Sequence, residues 1–319
     1  INRMERKTDT MNHTFDAVAF TEIIEQLAEY ANSPQAKEKI RNLQPYLDEG
    51  ELKRNMRDTT QARQMLDRLG TPPLPVMEQI GHIVEKAVLG ELLLPEEMEE
   101  VGMFLAAVRR MQSYLERGKM HHIPAAFYSD DLYPLTELKE EIERSVRHGR
   151  IDDHASGALW GIRKEIRALE EKIKDKADSL LKNNKKYMSE ALVTRNHRLC
   201  LPVKKEYKSR VPGSVIDSSS TGATVFIEPE AVARFQDQRE ILLVEEDCEE
   251  RKILYSLMDM IASQETSIKS NLETLAKLDF IFAKGKLSAQ MEAREPSINT
   301  EGRICLKDAR HPLLPPDSN

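Results

Sequence analysis

The sequence predicts a mainly α protein: a helical core, two long helices paired antiparallel as a coiled coil, and a small antiparallel β element inserted at the tip of the pair. Three observations predict it. Apolar residues make up 40% and charged residues 32% of the chain, with aromatics at only 5%, the balance of helices solvated on several sides. Apolar residues recur at helical spacing over most of the length, and only 195–229 shows long strand-like alternation. That interval lies between two long helical patterns, which makes it the turn of a hairpin and predicts an extended shape.

The chain has 319 residues, enough for two or more domains, since single cores stop growing near roughly 250–300 residues. The first thirteen residues are polar and aperiodic and read as a tail, with order expected from about Phe15. Phe20, Ile23, Ile24, Leu27 and Ala31 then follow helical spacing, and Asn32-Ser33-Pro34 stops that helix and starts the next. Helical patterns continue over 35–43, 50–69, 77–90 and 95–118, punctuated by Gln44-Pro45, Gly70 to Pro73, Gly90 and Pro95. His121-His122, in a looser 119–134 segment, face different ways on any helix and have no third ligand nearby, so they read as a surface loop rather than a metal site.

A short helix over 135–146 precedes Asp152-Asp153, which are expected to cap a long helix from Ser156 to Leu192. Leu159, Ile162, Ile166, Leu169, Ile173, Ala177 and Leu180 step by three and four along it, and at 1.5 Å per residue it would reach about 55 Å. The return helix is expected over 231–286, with Ile253, Leu257, Met260, Gln264, Ile268, Leu275, Leu278 and Phe282 on its seam. Folding the hairpin places Lys172, Lys174 and Lys176 near Glu249 and Glu250, so the acidic run 245–250 reads as a solvated face paired with basic residues, ahead of a divalent-metal site. Pro296 breaks the pattern, and Ile304, Leu306 and 309–314 read as a strand beginning something new.

At the tip, Leu199, Leu201 and Val203 alternate with Cys200, Pro202 and Lys204, and two further strands are expected at 214–217 and 223–228 around a Ser218 to Gly222 turn. Pro202 is expected on a sheet edge. Over 194–216 the basic residues Arg195, Arg198, Lys204, Lys205, Lys208 and Arg210 face only Glu206, in a chain of net charge −7. An acidic protein does not bind nucleic acid indiscriminately, so these six residues are the candidate contact with a phosphate backbone. Few aromatics stand ready for base stacking. The competing reading is a coiled-coil structural or protein-docking module without direct nucleic-acid contact, with Val225 and Phe226 as apolar docking residues.

No catalytic constellation emerges. Gly285-Lys286 lacks the upstream glycine and the hydroxyl residue of a P-loop, and Ser218 to Thr221 have no motif-linked base. Cys200, Cys248 and Cys305 are widely spaced, without CxxC or a secretory leader, which predicts neither disulfides nor zinc and a cytoplasmic location. No apolar run approaches the roughly 18 residues of a membrane span, and no membrane partner is expected.

The segments Thr194-Arg195-Asn196-His197-Arg198-Leu199-Cys200-Leu201-Pro202-Val203-Lys204, Glu206-Tyr207-Lys208, Val211-Pro212-Gly213 and Asp217 to Pro229, with the Ser219-Ser220-Thr221-Gly222-Ala223-Thr224 piece the most specific, resemble the clamp region of the bacterial MutS-two family. Phe15-Asp16, the 27–45 interval, 278–284 and Ala309-Arg310-His311-Pro312-Leu313-Leu314 are similar to other parts of the same family. The resemblance implies a tail at 1–14, a helical core at 15–150, lever helices at 151–193 and 232–285, a β clamp at 194–231 and a lead-in at 286–319 to an ATPase domain. It further implies a parent that holds ATP and Mg2+, dimerises, carries a nuclease-type Smr domain, and acts on branched DNA in limiting recombination or on collided ribosomes through ribosomal RNA. The chain reaches no Walker A motif, so the expectation for it is a non-catalytic lever and clamp without a cofactor of its own.

Overall fold

A computed structural model describes residues 19–189, 191–307 and 309–314. The expected tail and Phe15-Asp16 lie outside the described residues. The described chain is mostly helical with two small antiparallel sheets, and it divides into two compact units, one of 1–93, 97–141 and 258–319 and the other of 94–96 and 142–257.

In the first unit, α1 (Phe20–Glu29), α2 (Pro34–Arg41), α3 (Glu49–Leu69), α4 (Ile80–Val88) and α5 (Pro95–Met120) follow the sequence periodicity closely. Ser33 starts α2 by accepting the Ala36 N–H on its hydroxyl, with Pro34 in the first turn where its missing N–H costs nothing. The centre of the unit is α9 (Glu265–Gln290), whose Leu275, Leu278, Phe280, Ile281, Phe282 and Ala283 are all buried, the signature of a helix surrounded by its neighbours. Gly285 lets α3 approach it, since a Cβ there would meet Ala62 Cβ at 3.1 Å and the Arg63 nitrogen at 3.2 Å.

Two buried polar residues on α9 fasten the rest. The Asp279 carboxylate accepts the Asn32 and Ser33 N–H groups at 2.9 and 2.7 Å and the Ser33 hydroxyl at 2.8 Å, satisfying the α1–α2 turn. Asn271 both accepts from the Tyr133 N–H (2.7 Å) and donates to its carbonyl (2.8 Å). His121-His122 form an exposed turn after α5, with a 3-10 helix at Pro124–Asp131 following.

The second unit contains a two-residue-per-strand hairpin, β1 (Val146–Arg147) and β2 (Arg150–Ile151), turning at His148 and Gly149, both at positive φ. It follows α6 (Thr136–Ser145). Next comes α7 (Gly157–Asn183), and it departs from expectation in two ways. Its cap is Ser156, whose hydroxyl accepts the Leu159 N–H; Asp152 instead accepts the His154 N–H, and Asp153 pairs with Arg163 and Arg167. It also ends at Asn183 after 27 residues rather than at Leu192, about 40 Å of helix instead of about 55 Å. Asn184 stops it, its side-chain amide donating to the Leu180 carbonyl.

The return is α8 (Glu230–Ser263), interrupted before α9 at Gln264, so the single helix expected over 231–286 is two. The Ser263 hydroxyl donates to the Met260 carbonyl, competing with the backbone ladder at the break. Within the second unit α8 runs antiparallel to α7: Ile166 and Leu169 pack with Leu242, and Ile162 and Phe235 join them. Arg163 donates to Glu246 at 2.6 Å, to Glu250 and to Asp153 at 2.7 Å. This corrects the expected register. Lys176 lies over the Phe235 ring, not beside Glu249 or Glu250, and Glu249 accepts from Ser156. The cause is the asymmetry of the hairpin, because α8 begins directly after the last strand while α7 stops short of the first.

Four strands complete the unit: β3 (Val193–Arg195), β4 (Arg198–Lys204), β5 (Gly213–Ser218) and β6 (Thr224–Pro229), in the antiparallel order β3-β4-β6-β5. Asn196 and His197, both at positive φ, make the two-residue turn between β3 and β4. Met188, Leu201, Val203, Val211, Val225 and Ile227 form a small core that Leu180 and Leu181 of α7 close. Pro202 sits in an interior strand, contrary to the expected edge position. It is tolerated because it faces Phe226 at a position where no ladder bond is required, while its carbonyl accepts the Ser189 N–H from the other side. Among the described residues no strand forms at 304–314.

Candidate nucleic-acid interface

The six sequence-predicted basic residues fall into two groups. Arg198 points at the buried Glu228 carboxylate, donating at 2.7 Å, and also reaches Asp237 at 2.7 Å. Gln236, fully buried, accepts the Leu199 N–H and donates to the same Glu228 oxygen at 2.8 Å. These contacts join β4, β6 and α8, and the hydrogen bonds to Glu228 and then Asp237 hold the Arg198 guanidinium above its ordinary pKa. Beneath them the Cys200 thiol is pushed up to about 11 by burial first and the Glu228 charge second. Arg195 lays its guanidinium 4.4 Å from the Phe226 ring centroid and sits 3.6 Å from Asp217.

Lys204, Lys205, Lys208 and Arg210 are different. All four are exposed, and none forms an ion pair with a described residue. Lys204 ends β4, and a 3-10 helix, Lys205–Arg210, follows at once. Its three-residue repeat eclipses Lys205 with Lys208 on one edge. Tyr207 turns the other way and packs on the small core, so burial of one ring fixes which way the cations face.

The same ring brings in residues that the sequence reading left in the helical arm. The Tyr187 and Tyr207 rings meet with centroids 5.0 Å apart, tilted by 43°, which sets a second 3-10 turn, Lys185–Tyr187, beside the first. Lys185 and Lys186 are exposed there, and Lys186 caps the Tyr187 ring at 4.7 Å. The available signal was Asn183-Asn184, two poor helix formers just ahead of the lysine pair. A hydroxyl-rich hairpin adjoins the cluster. The Lys205 N–H bonds the Ala223 carbonyl, Lys204 pairs in register with Thr224, and the turn closes through Ser219, which accepts the Thr224 N–H on its side chain. Gly222, at φ 68°, supplies the left-handed residue the turn requires.

Cations that form no ion pair with a described residue, set on short turns and flanked by hydroxyl donors, can hold a phosphate backbone. Val225 and Phe226, considered as docking residues, are both buried and cannot present an apolar surface. Four of the five acids in the run 245–250 are engaged internally, Glu246 and Glu250 with Arg163, Asp247 with Arg251 and Glu249 with Lys252. Gly285-Lys286 lie within α9 with Gly285 against α3, so they form no phosphate-binding loop. No helix among the described residues is long and apolar enough to cross a membrane.

No family model matches the chain. Curated bacterial proteins do match. The chain is 34% identical over 303 residues to the endonuclease MutS2 of Clostridium botulinum, covering 93% of this chain and 38% of that protein. For the endonuclease MutS2 of Bacillus velezensis the figures are 34% over 308 residues, 94% and 39%, and for that of Clostridium perfringens 35% over 303 residues, 93% and 38%. The chain thus spans about two fifths of the length of these relatives, and across nearly all of its own length it is similar to MutS2 proteins.

Proposed function

We propose that the second unit is the lever and clamp of a MutS2 protein, and that its clamp grips the phosphate backbone of a nucleic acid through Lys204, Lys205, Lys208 and Arg210, with Lys185 and Lys186 beside them. The observation that carries the reading is the contrast between cations spent inside the fold and this cluster, which forms no ion pair with a described residue. In this reading α7 and the paired part of α8 act as a stiff lever that carries the clamp. Arg195 and Arg198 position the sheet rather than touch phosphate.

In a longer parent bearing an ABC-type ATPase, ATP and Mg2+ would bind outside the residues described, and closure of a dimer would drive the lever. The nuclease activity in the relatives' name belongs in this proposal to such further domains. Branched DNA and ribosomal RNA are the two candidate ligands, both recognised here through phosphate. The test is a salt titration of binding to branched DNA and to an rRNA fragment. Replacing Lys204, Lys205, Lys208 and Arg210 together is expected to flatten the slope of log affinity against log salt by about 3. Unchanged affinity and slope on both ligands would sink the assignment.

A further inference from the structure

We propose a second phosphate-backbone site, in the first unit, taking the sugar-phosphate backbone of a nucleic-acid duplex. A groove of about 630 Å3 runs between α5, the segment around Thr71 and Pro73, and α6. Four cationic side chains line it, Arg109, Arg110, Arg117 and Lys139, and no acidic side chain does. In a chain of net charge −7 such a lining is a local reversal of the protein's field.

The arginines are placed for use. Arg109 and Arg110 are exposed and make no ion pair with a described residue. Arg117 lies against the Tyr114 ring, 5.6 Å from its centroid, which orients the guanidinium without consuming its donors. Arg109 and Arg117 are separated by about 12 Å of helix, enough to follow several phosphates of one strand at about 3.4 Å of axial rise each. Three of the four cations are arginines, whose planar fork matches phosphate oxygens bidentately.

A duplex, rather than an unpaired strand, follows from what the groove lacks. Its one aromatic lining residue, Tyr114, is 2% exposed and its hydroxyl donates to the Gly70 carbonyl at 2.8 Å. No ring is therefore presented for base stacking, the main source of affinity for single strands. The groove offers cationic and hydroxyl side chains beside small apolar ones such as Pro73 and Ala106 but no exposed ring, which suits a ligand whose bases are already paired.

The experiment measures binding of the full chain to a DNA duplex and to an RNA duplex of the same sequence, as a function of salt. The variant R109Q/R110Q/R117Q keeps helix propensity and much of the packing of the arginine stems while removing charge, and R109K/R110K/R117K keeps the charge. The salt slope is expected to fall by about 2–3 for the glutamine variant on at least one duplex, and to stay near the unmodified value for the lysine variant. The clamp variant lacking Lys204, Lys205, Lys208 and Arg210 is measured in parallel. A clamp effect with an unchanged slope for the glutamine variant on both duplexes overturns the groove alone; the reverse pattern overturns the clamp alone. No duplex binding by the unmodified chain, or equal losses in the glutamine and lysine variants, also overturns the groove assignment.

Discussion

Arg198 and Lys208 belong to one basic stretch, yet the fold uses their charges in opposite ways. Arg198 faces a buried carboxylate on the neighbouring strand, which Gln236 also holds, and reaches Asp237 as well, whereas Lys208 stands on a turn whose inward side is already taken by Tyr207. The difference teaches that local charge density identifies a region but not its working residues. A cation with a desolvated partner is part of the scaffold, since removing it leaves an unpaired buried charge. One without a partner contributes little to stability and remains available to a ligand.

The strongest test of the scaffold half is Gly213→Ala. Gly213 has φ 155°, and a Cβ there would lie 2.1 Å from the Glu228 carbonyl oxygen, a backbone atom that cannot swing away. Forcing β5 off β6 would displace Glu228 and release Arg198. A loss of about 3 kcal/mol or more in urea unfolding of the second unit is expected, and a wild-type midpoint would show that the β5–β6 contact does not hold the network.

Next in size is Arg198→Met, which leaves Glu228 with Gln236 as its remaining partner. Its expected cost is about 2–4 kcal/mol, accompanied by faster alkylation of Cys200, which in the native chain is fully buried while Cys248 and Cys305 are exposed. A change below about 0.5 kcal/mol would place Arg198 with the surface cations and erase the contrast.

A smaller effect is read through pH. Folding raises the Cys200 pKa from its ordinary 9.0 to about 11, so the folded state favours the thiol. The resulting stability is fully present below the unfolded value and is lost as pH rises through the folded one. Between about pH 8 and about pH 11 the native chain should lose about 2 kcal/mol more than Cys200→Ala does. Parallel pH curves for the two would show that the site beneath Glu228 is not desolvated.

The smallest expected stability change belongs to the clamp cations. Replacing Lys204, Lys205, Lys208 and Arg210 by alanine together should move the unfolding free energy by no more than about 0.5 kcal/mol, even though it removes four charges. A large destabilisation, measured by the same urea titration, would mean that these residues also hold the sheet together.

Much of the first unit was legible because its signals are local. Ser33-Pro34 starts a helix through chemistry contained within a few residues, and the 95–118 pattern nearly matches α5. The tip was legible as β from the alternation around Leu201 and from turn residues such as Gly222. The break at Gln264 was not, because neither Gly nor Pro marks it and a serine hydroxyl bonding one turn back leaves no pattern in composition. The register of α7 against α8 was missed for a related reason: it depends on where α7 stops, and Asn183-Asn184 is a weak stop signal. The nearness of Lys185 to Lys208 rests on two tyrosine rings, Tyr187 and Tyr207, meeting across the strands and turns between them.

What the sequence by itself determined was the kind of element at each place and the sign of the charge at the tip, since helical and strand periods and turn chemistry act between near neighbours. Only the tertiary structure decided which cations are spent and which remain free. Arg198 meets Glu228 thirty residues away, whereas Lys208 stands exposed on the turn that follows the same strand. The energy of a charge depends on the partner and the water around it, and both are set by packing rather than by position in the chain.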